Sequence, residues 1–211
     1  MIKIENLCKN FGEAQVLKDI SMTLEAGKIY GLIGRNGSGK TMLMTHILGF
    51  VKATSGRIWV DGQEIGKDID MPQNIGAIIE NPGFLPEYSA LKNLKLLAMI
   101  RGKITDDEIK DTLCLVGLDP ENKKHVGTYS LGMRQRLGLA QALMEDPDIL
   151  LLDEPLSGLD NDGVKQMYQI FLKQKEKGKL LVIASHSKED IAVLCDEVFQ
   201  FDKGRIIAHE K

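Results

Sequence analysis

Gly34-Arg35-Asn36-Gly37-Ser38-Gly39-Lys40-Thr41 decides how this chain reads. Gly34 and Gly39, followed directly by Lys40 and Thr41, fit the phosphate-binding loop pattern. The residue types follow from the chemistry. Glycines lack a Cβ, so backbone N–H groups can close around an anion. A helix start just beyond adds partial positive charge. Lys40 is expected to reach the terminal phosphates, and the Thr41 hydroxyl to bind Mg²⁺. The flanks agree. Lys28 to Ile33 reads as a buried strand, and Thr41 to Leu48 reads as the start of a helix. The alternative, a glycine-rich turn matching by chance, leaves strand, loop and helix in register unexplained. The loop therefore predicts a nucleoside triphosphate site. It does not by itself say what the energy is used for.

Working outward, Ile2 to Leu7 and Val16 to Leu24 read as strands before the loop. Arg57 to Val60 and Ile75 to Ile79 read as further strands after it, joined by a turn at Asp61-Gly62. The character changes after Asn81-Pro82-Gly83. From Ser89 to about Met144 the signals are helical, with Leu91, Leu94, Leu97 and Ala98 on one face. Thr105 and Glu108 form a capping-box pattern, and Gly117 and Pro120 mark the end of that helix. Strand signals then return. Asp148 to Leu152 is a continuous apolar run, as in a strand buried on both faces of a parallel sheet. A helix from about Asp162 to Lys177, a strand from Leu180 to Ala184, a helix from Lys188 to Cys195 and two short end strands follow. Alternating strands and helices predict an α/β core with a mostly parallel sheet. The core would comprise residues 1–83 and 146–211, with a helical subdomain inserted at about 84–145.

A chain of 211 residues suits one large domain or a core with a smaller insert. The net charge of -3 gives no electrostatic case for a nucleic-acid partner. Cys8, Cys114 and Cys195 are far apart, and no pair has metal-ligand or redox spacing, so reduced thiols with packing roles are expected, as in a cytosolic protein. Met1 to Leu7 alternates like a strand and lacks a signal-peptide core. The apolar runs Ile149 to Leu152 and Leu180 to Ala184 are too short to span a bilayer, so work at a membrane would need another chain.

Ile149-Leu150-Leu151-Leu152-Asp153-Glu154-Pro155 is the second strong pattern. An acidic pair closing a buried strand falls beside the phosphate loop in doubly wound folds. Asp153 is expected to complete the metal site and Glu154 to orient and polarise the attacking water. Ser130-Leu131-Gly132-Met133-Arg134-Gln135-Arg136 is the third. A Ser hydroxyl and a Gly N–H at a helix start make a second anion site, although Ser130 would serve equally as a plain helix cap.

That third stretch resembles the signature of ATP-binding-cassette ATPases in a variant form. Leu131 stands where the family usually has a second glycine, and Met133 where it usually has Gln. The resemblance runs the length of the chain. It implies a P-loop NTPase (RecA-like) parallel-sheet core, an N-terminal antiparallel β subdomain and the inserted helical subdomain. It implies ATP and Mg²⁺ as cofactors, a dimer of ATPase subunits in the presence of ATP, homodimeric or heterodimeric, and a transmembrane permease partner. Ser130 and Gly132 would touch the γ-phosphate held by the other subunit. Ser157-Gly158-Leu159-Asp160 is similar to the family's dimer-contact loop, and His186 to its switch histidine, a donor toward the γ-phosphate. Phe11 matches an aromatic that stacks on adenine, with core packing as the alternative. Glu80 stands where the family usually has Gln, placing a carboxylate near the metal and the attacking water. Glu80 and the Tyr129–Met133 form resemble the subfamily that exports, or confers immunity to, peptide antibiotics of the bacitracin and lantibiotic kind. The resemblance thus implies a subunit on the cytoplasmic face of the membrane. The alternative, a soluble cassette ATPase acting on ribosomes or DNA, usually carries two cassettes or a long coiled-coil insert.

Overall fold

The computed structural model describes residues 1–80 and 82–211; Asn81 lies outside the described residues. Strands β1 (Ile2–Phe11) and β2 (Ala14–Leu24) form an antiparallel hairpin, and Ile2↔Val60 pairing sets β4 (Ser55–Val60) on the other side of β1. The sequence alternation has a direct cause here. Ile2, Ile4 and Leu7 face inward, and the shift of phase after Ile4 is a bulge at Asn6, whose φ is 48°.

The second sheet holds β3 (Ile29–Ile33), β6 (Ile75–Ile78), β7 (Ile149–Asp153), β8 (Leu180–Ala184), β9 (Glu197–Asp202) and β10 (Arg205–Glu210), the first sheet being completed by β5 (Gln63–Glu64). Its order is β10-β9-β3-β8-β7-β6, parallel throughout except for the β10–β9 pair. Every residue of β8 is buried, as expected for a strand covered on both faces. Alternation along β7 divides the core. Ile149 and Leu151 join the layer shared with the first sheet and α1 (Lys40–Ile47). Leu150 and Leu152 join the layer built by α4 (Leu131–Leu143) and α5 (Asn161–Glu176).

Helices α2 (Ala90–Arg101) and α3 (Asp106–Leu115) pack beside α4. Leu94 and Ala98 are buried, and Leu91 and Leu97 pack against the same cluster. The capping box forms as the spacing predicts: the Glu108 amide donates to Thr105 Oγ1 at 3.3 Å, and the Thr105 amide to Glu108 Oε2 at 2.7 Å. A short helix, α6 (Lys188–Leu194), precedes β9.

The structure corrects three expectations. The Asp61-Gly62 turn leads into β5, not β6; β4 and β6 lie in different sheets. Strand pattern reports burial and not partnership, so the sequence could not assign the sheet. The helical stretch from Ser89 to Met144 is interrupted between α3 and α4 by a loop and a single 3-10 turn at Val126–Thr128. Cys114 does not pack inside: it is exposed on the outer face of α3. Cys195 is the packed thiol, pushed up to about 12 by burial and then by the neighbouring Asp196 and Asp190.

Candidate functional site

The sheet order carries the site. With β3, β8, β7 and β6 adjacent, the segments leaving their C-terminal ends come together. They bring the phosphate loop from β3, His186 from β8, Asp153 and Glu154 from β7, and Glu80 from β6. A cavity of about 590 Å³ opens there, bordered by Val16 of β2, the loop from Asn36 to Thr41, Thr45 of α1, Glu80, Asp153 and Glu154.

The loop is constrained by its glycines. A Cβ at Gly34 would lie 2.3 Å from Phe201 O, and Gly39 takes φ 111° as α1 begins. Lys40 is buried, and its Nζ donates to Gly34 O at 2.7 Å and Arg35 O at 3.3 Å, so the ammonium sits inside the curl of the loop. Ser38 is buried with no hydrogen-bond partner for its Oγ among the described residues. An orphaned buried hydroxyl is costly, and at this position a phosphate oxygen would satisfy it. Arg35, Asn36 and Gly37 form the exposed crest.

The Thr41 hydroxyl donates to Asp153 Oδ2 at 2.6 Å. One hydroxyl and one carboxylate in contact suit Mg²⁺, which keeps water and phosphate ligands and needs few from the protein. Among the described residues no group of three or more His, Cys, Asp or Glu side chains is arranged to hold a metal. Glu154 takes φ 48°, a conformation uncommon for a non-glycine residue and frequent at functional sites. Its amide donates to Ala184 O at 2.9 Å, and its Oε2 lies 2.9 Å from His186 Nδ1. Glu80, two residues beyond the end of β6, has the same left-handed backbone with φ 55°. Two carboxylates thus emerge at turned strand ends on the same edge of the sheet.

Ser130 and Gly132 lie elsewhere. Ser130 caps α4, accepting the Met133 amide at 3.2 Å, and is exposed. A Cβ at Gly132 would lie 2.7 Å from Gly158 O, so the start of α4 packs on the Ser157–Asp160 turn and borders no part of the phosphate-loop cavity. Phe11 ends β1 half exposed, with Lys9 Nζ 4.7 Å from its ring centroid, which excludes core packing. Sequence reasoning missed Val16 and Thr45 as wall residues. Thr45 had a signal, since it follows Thr41 by one helical turn; Val16 had none.

A parallel sheet with a phosphate loop at one strand end and an acidic pair at another defines a P-loop nucleotide hydrolase. The comparisons make this specific. The sequence model described as "ABC transporter" matches residues 17–157. The ABC transporter ATP-binding protein YybJ of Bacillus subtilis (strain 168) is 46% identical over 211 residues, covering 100% of this chain and 97% of that protein. The bacitracin transport ATP-binding protein BcrA of Bacillus licheniformis is 39% identical over 209 residues, covering 98% and 68%. The lantibiotic transport ATP-binding protein SrtF of Streptococcus pyogenes is 37% identical over 211 residues, covering 100% and 91%. Among solved structures, the dimeric bacterial ABC transporter cassette MJ0796 superposes with a TM-score of 0.90 at 24% identity, covering 100% of this chain and 98% of that one. The chain belongs to the ABC transporter family and is an ATP-binding, ATP-hydrolysing subunit. No helix among the described residues is long and apolar enough to cross a membrane.

Proposed function

We propose that this subunit powers export of, or immunity to, a peptide antibiotic through a separate transmembrane permease, from the cytoplasmic face of the membrane. The observation that carries the ATPase half of this reading is the pairing of Thr41 with Asp153 beside that of Glu154 with His186 at one sheet edge. Kinship with the bacitracin and lantibiotic proteins supports the substrate class.

The loop from Gly34 to Thr41 cradles the phosphates, with the Lys40 ammonium leaving its carbonyl partners for the terminal phosphates. Thr41 and Asp153 would hold Mg²⁺, with Glu80 bordering the same cavity as a further carboxylate; the ion would supply charge neutralisation to the phosphates. Glu154 accepts from the attacking water and aligns it. His186, exposed beside Glu154, donates toward the γ-phosphate. Phe11 offers its open face to the adenine. Ser130 and Gly132 supply an anion-binding helix start to the nucleotide of a second cassette, a copy of this chain or a different one. Contacts to the γ-phosphate exist only before hydrolysis, so ATP favours the closed pair and ADP does not.

Expression with its membrane subunit in a sensitive cell tests the proposal, with bacitracin and a lantibiotic supplied separately. The expected result is a higher tolerated concentration of one of them, abolished by Lys40→Ala. Unchanged tolerance to both, or a gain that survives Lys40→Ala, contradicts it.

A further inference from the structure

Glu154 is held at two points. On one side its amide donates to Ala184 O at the end of β8. On the other, the Gln135 side chain of α4 reaches across, its Nε2 lying 3.2 Å from Glu154 O and 2.9 Å from Pro155 O. Both partners are carbonyl oxygens, so chemistry requires the amide NH₂ to face them. The two bonds grip the peptides that directly follow the left-handed residue.

The rest of α4's first turns lie along the same segment. The Leu131 side chain covers Gly158 so closely that a Cβ there would be 2.6 Å away. Arg136 approaches Asp160 at 3.9 Å and donates to Val116 O at 2.5 Å. Glu154 is thus fixed in front by the sheet and behind by the helix that begins at Ser130.

A left-handed Glu is not a conformation the backbone prefers, and it persists only where surroundings over-determine it. The Gln135 side-chain amide, donating to the carbonyls of Glu154 and Pro155, supplies that determination. We propose that Gln135 is a positioning residue for Glu154: its two bonds hold the turn that aims the carboxylate at the attacking water. The inference rests on the reading of Glu154 as the residue that aligns that water. It joins the helix that begins with Ser130 and Gly132 to the hydrolytic carboxylate of the same subunit.

Steady-state Mg²⁺–ATP hydrolysis by the purified full chain, at fixed protein concentration, tests this through kcat and KM. Gln135→Ala should lower kcat roughly tenfold to a hundredfold with KM for ATP within about twofold, the pattern of lost alignment and intact binding. Gln135→Glu, nearly isosteric but an acceptor only when ionised, should lose as much. Gln135→Lys, which can donate to both carbonyls, should recover to within about threefold of the wild type. Adding Gln135→Ala to Glu154→Gln should leave the residual rate unchanged, because nothing remains to be aimed. A Gln135→Ala kcat within about twofold of wild type, a Lys variant no better than the Glu variant, or a further loss on the Glu154→Gln background overturns the inference. Near-wild-type hydrolysis by Glu154→Gln alone overturns it differently, by removing the role of Glu154 itself.

Discussion

The start of α1 and the start of α4 are both helix N-termini entered from glycine-containing loops, yet they are built differently. At α1 the chain closes around the site: Ser38 and Lys40 are buried, and neighbouring strand ends supply Asp153, Glu154 and His186. At α4 Ser130 is exposed, Leu131 is 53% exposed, and Gly158, Gln135 and Arg136 tie the start of the helix to its neighbours from behind. One anion site is complete within the chain; the other faces outward. Under the proposed function the first site should bind nucleotide in a monomer, and the second should act on a nucleotide that another cassette presents.

Substitutions that break one half and spare the other separate the two most strongly. Lys40→Ala should remove nucleotide binding and hydrolysis together, by about a hundredfold or more. Gly132→Val should leave equilibrium ATP binding within about twofold while hydrolysis falls about a hundredfold. Nucleotide titration beside phosphate release reads both, and equal loss of binding in the two variants breaks the comparison.

The two sites also differed in how far they could be read from sequence. At α1 the chemistry is local. Gly34, Gly39, Lys40 and Thr41 are dictated by one short loop, and Asp153-Glu154 by the end of one apolar strand, so residue order alone was enough. At α4 the chemistry is tertiary. Nothing in Leu131 or Gln135 announces a partner more than a dozen residues away, and Leu131 reads only as a departure until Gly158 is seen beneath it. The sheet assignment of β6 and the approach of Val16 to the phosphate loop were illegible for the same reason, because strand pattern carries burial and no address. Phe11 was ambiguous by type, and its exposure decides against core packing.

Smaller effects sharpen the contrast in support. Gly158→Ala forces a Cβ against Leu131 at a residue with φ 75°. It should cost about 1–3 kcal/mol of stability by denaturant unfolding. Leu131→Gly should restore part of that loss if the contact is the cause. On the α1 side, His46 is buried with Nδ1 2.7 Å from Met42 O. Desolvation, and then the Lys9 charge, hold its imidazole below the ordinary 6.5 against the raising effect of the Met42 bond. The folded state therefore favours neutral His46, and the unfolded chain takes up the proton first. Stability should fall as pH drops through about 6.5, by at most about 1.4 kcal/mol per pH unit. His46→Leu should flatten that limb in unfolding curves taken from pH 7.5 to 5, whereas an unchanged slope assigns the acid sensitivity to other groups.

In the proposed function each ATP is completed by a second cassette. Sizing Glu154→Gln by light scattering, with and without Mg²⁺–ATP, tests it most directly. Monomers are expected without nucleotide or with ADP, and with ATP a stable dimer that Gly132→Val abolishes. A variant that stays monomeric in saturating ATP while hydrolysing it at the wild-type rate would contradict the account.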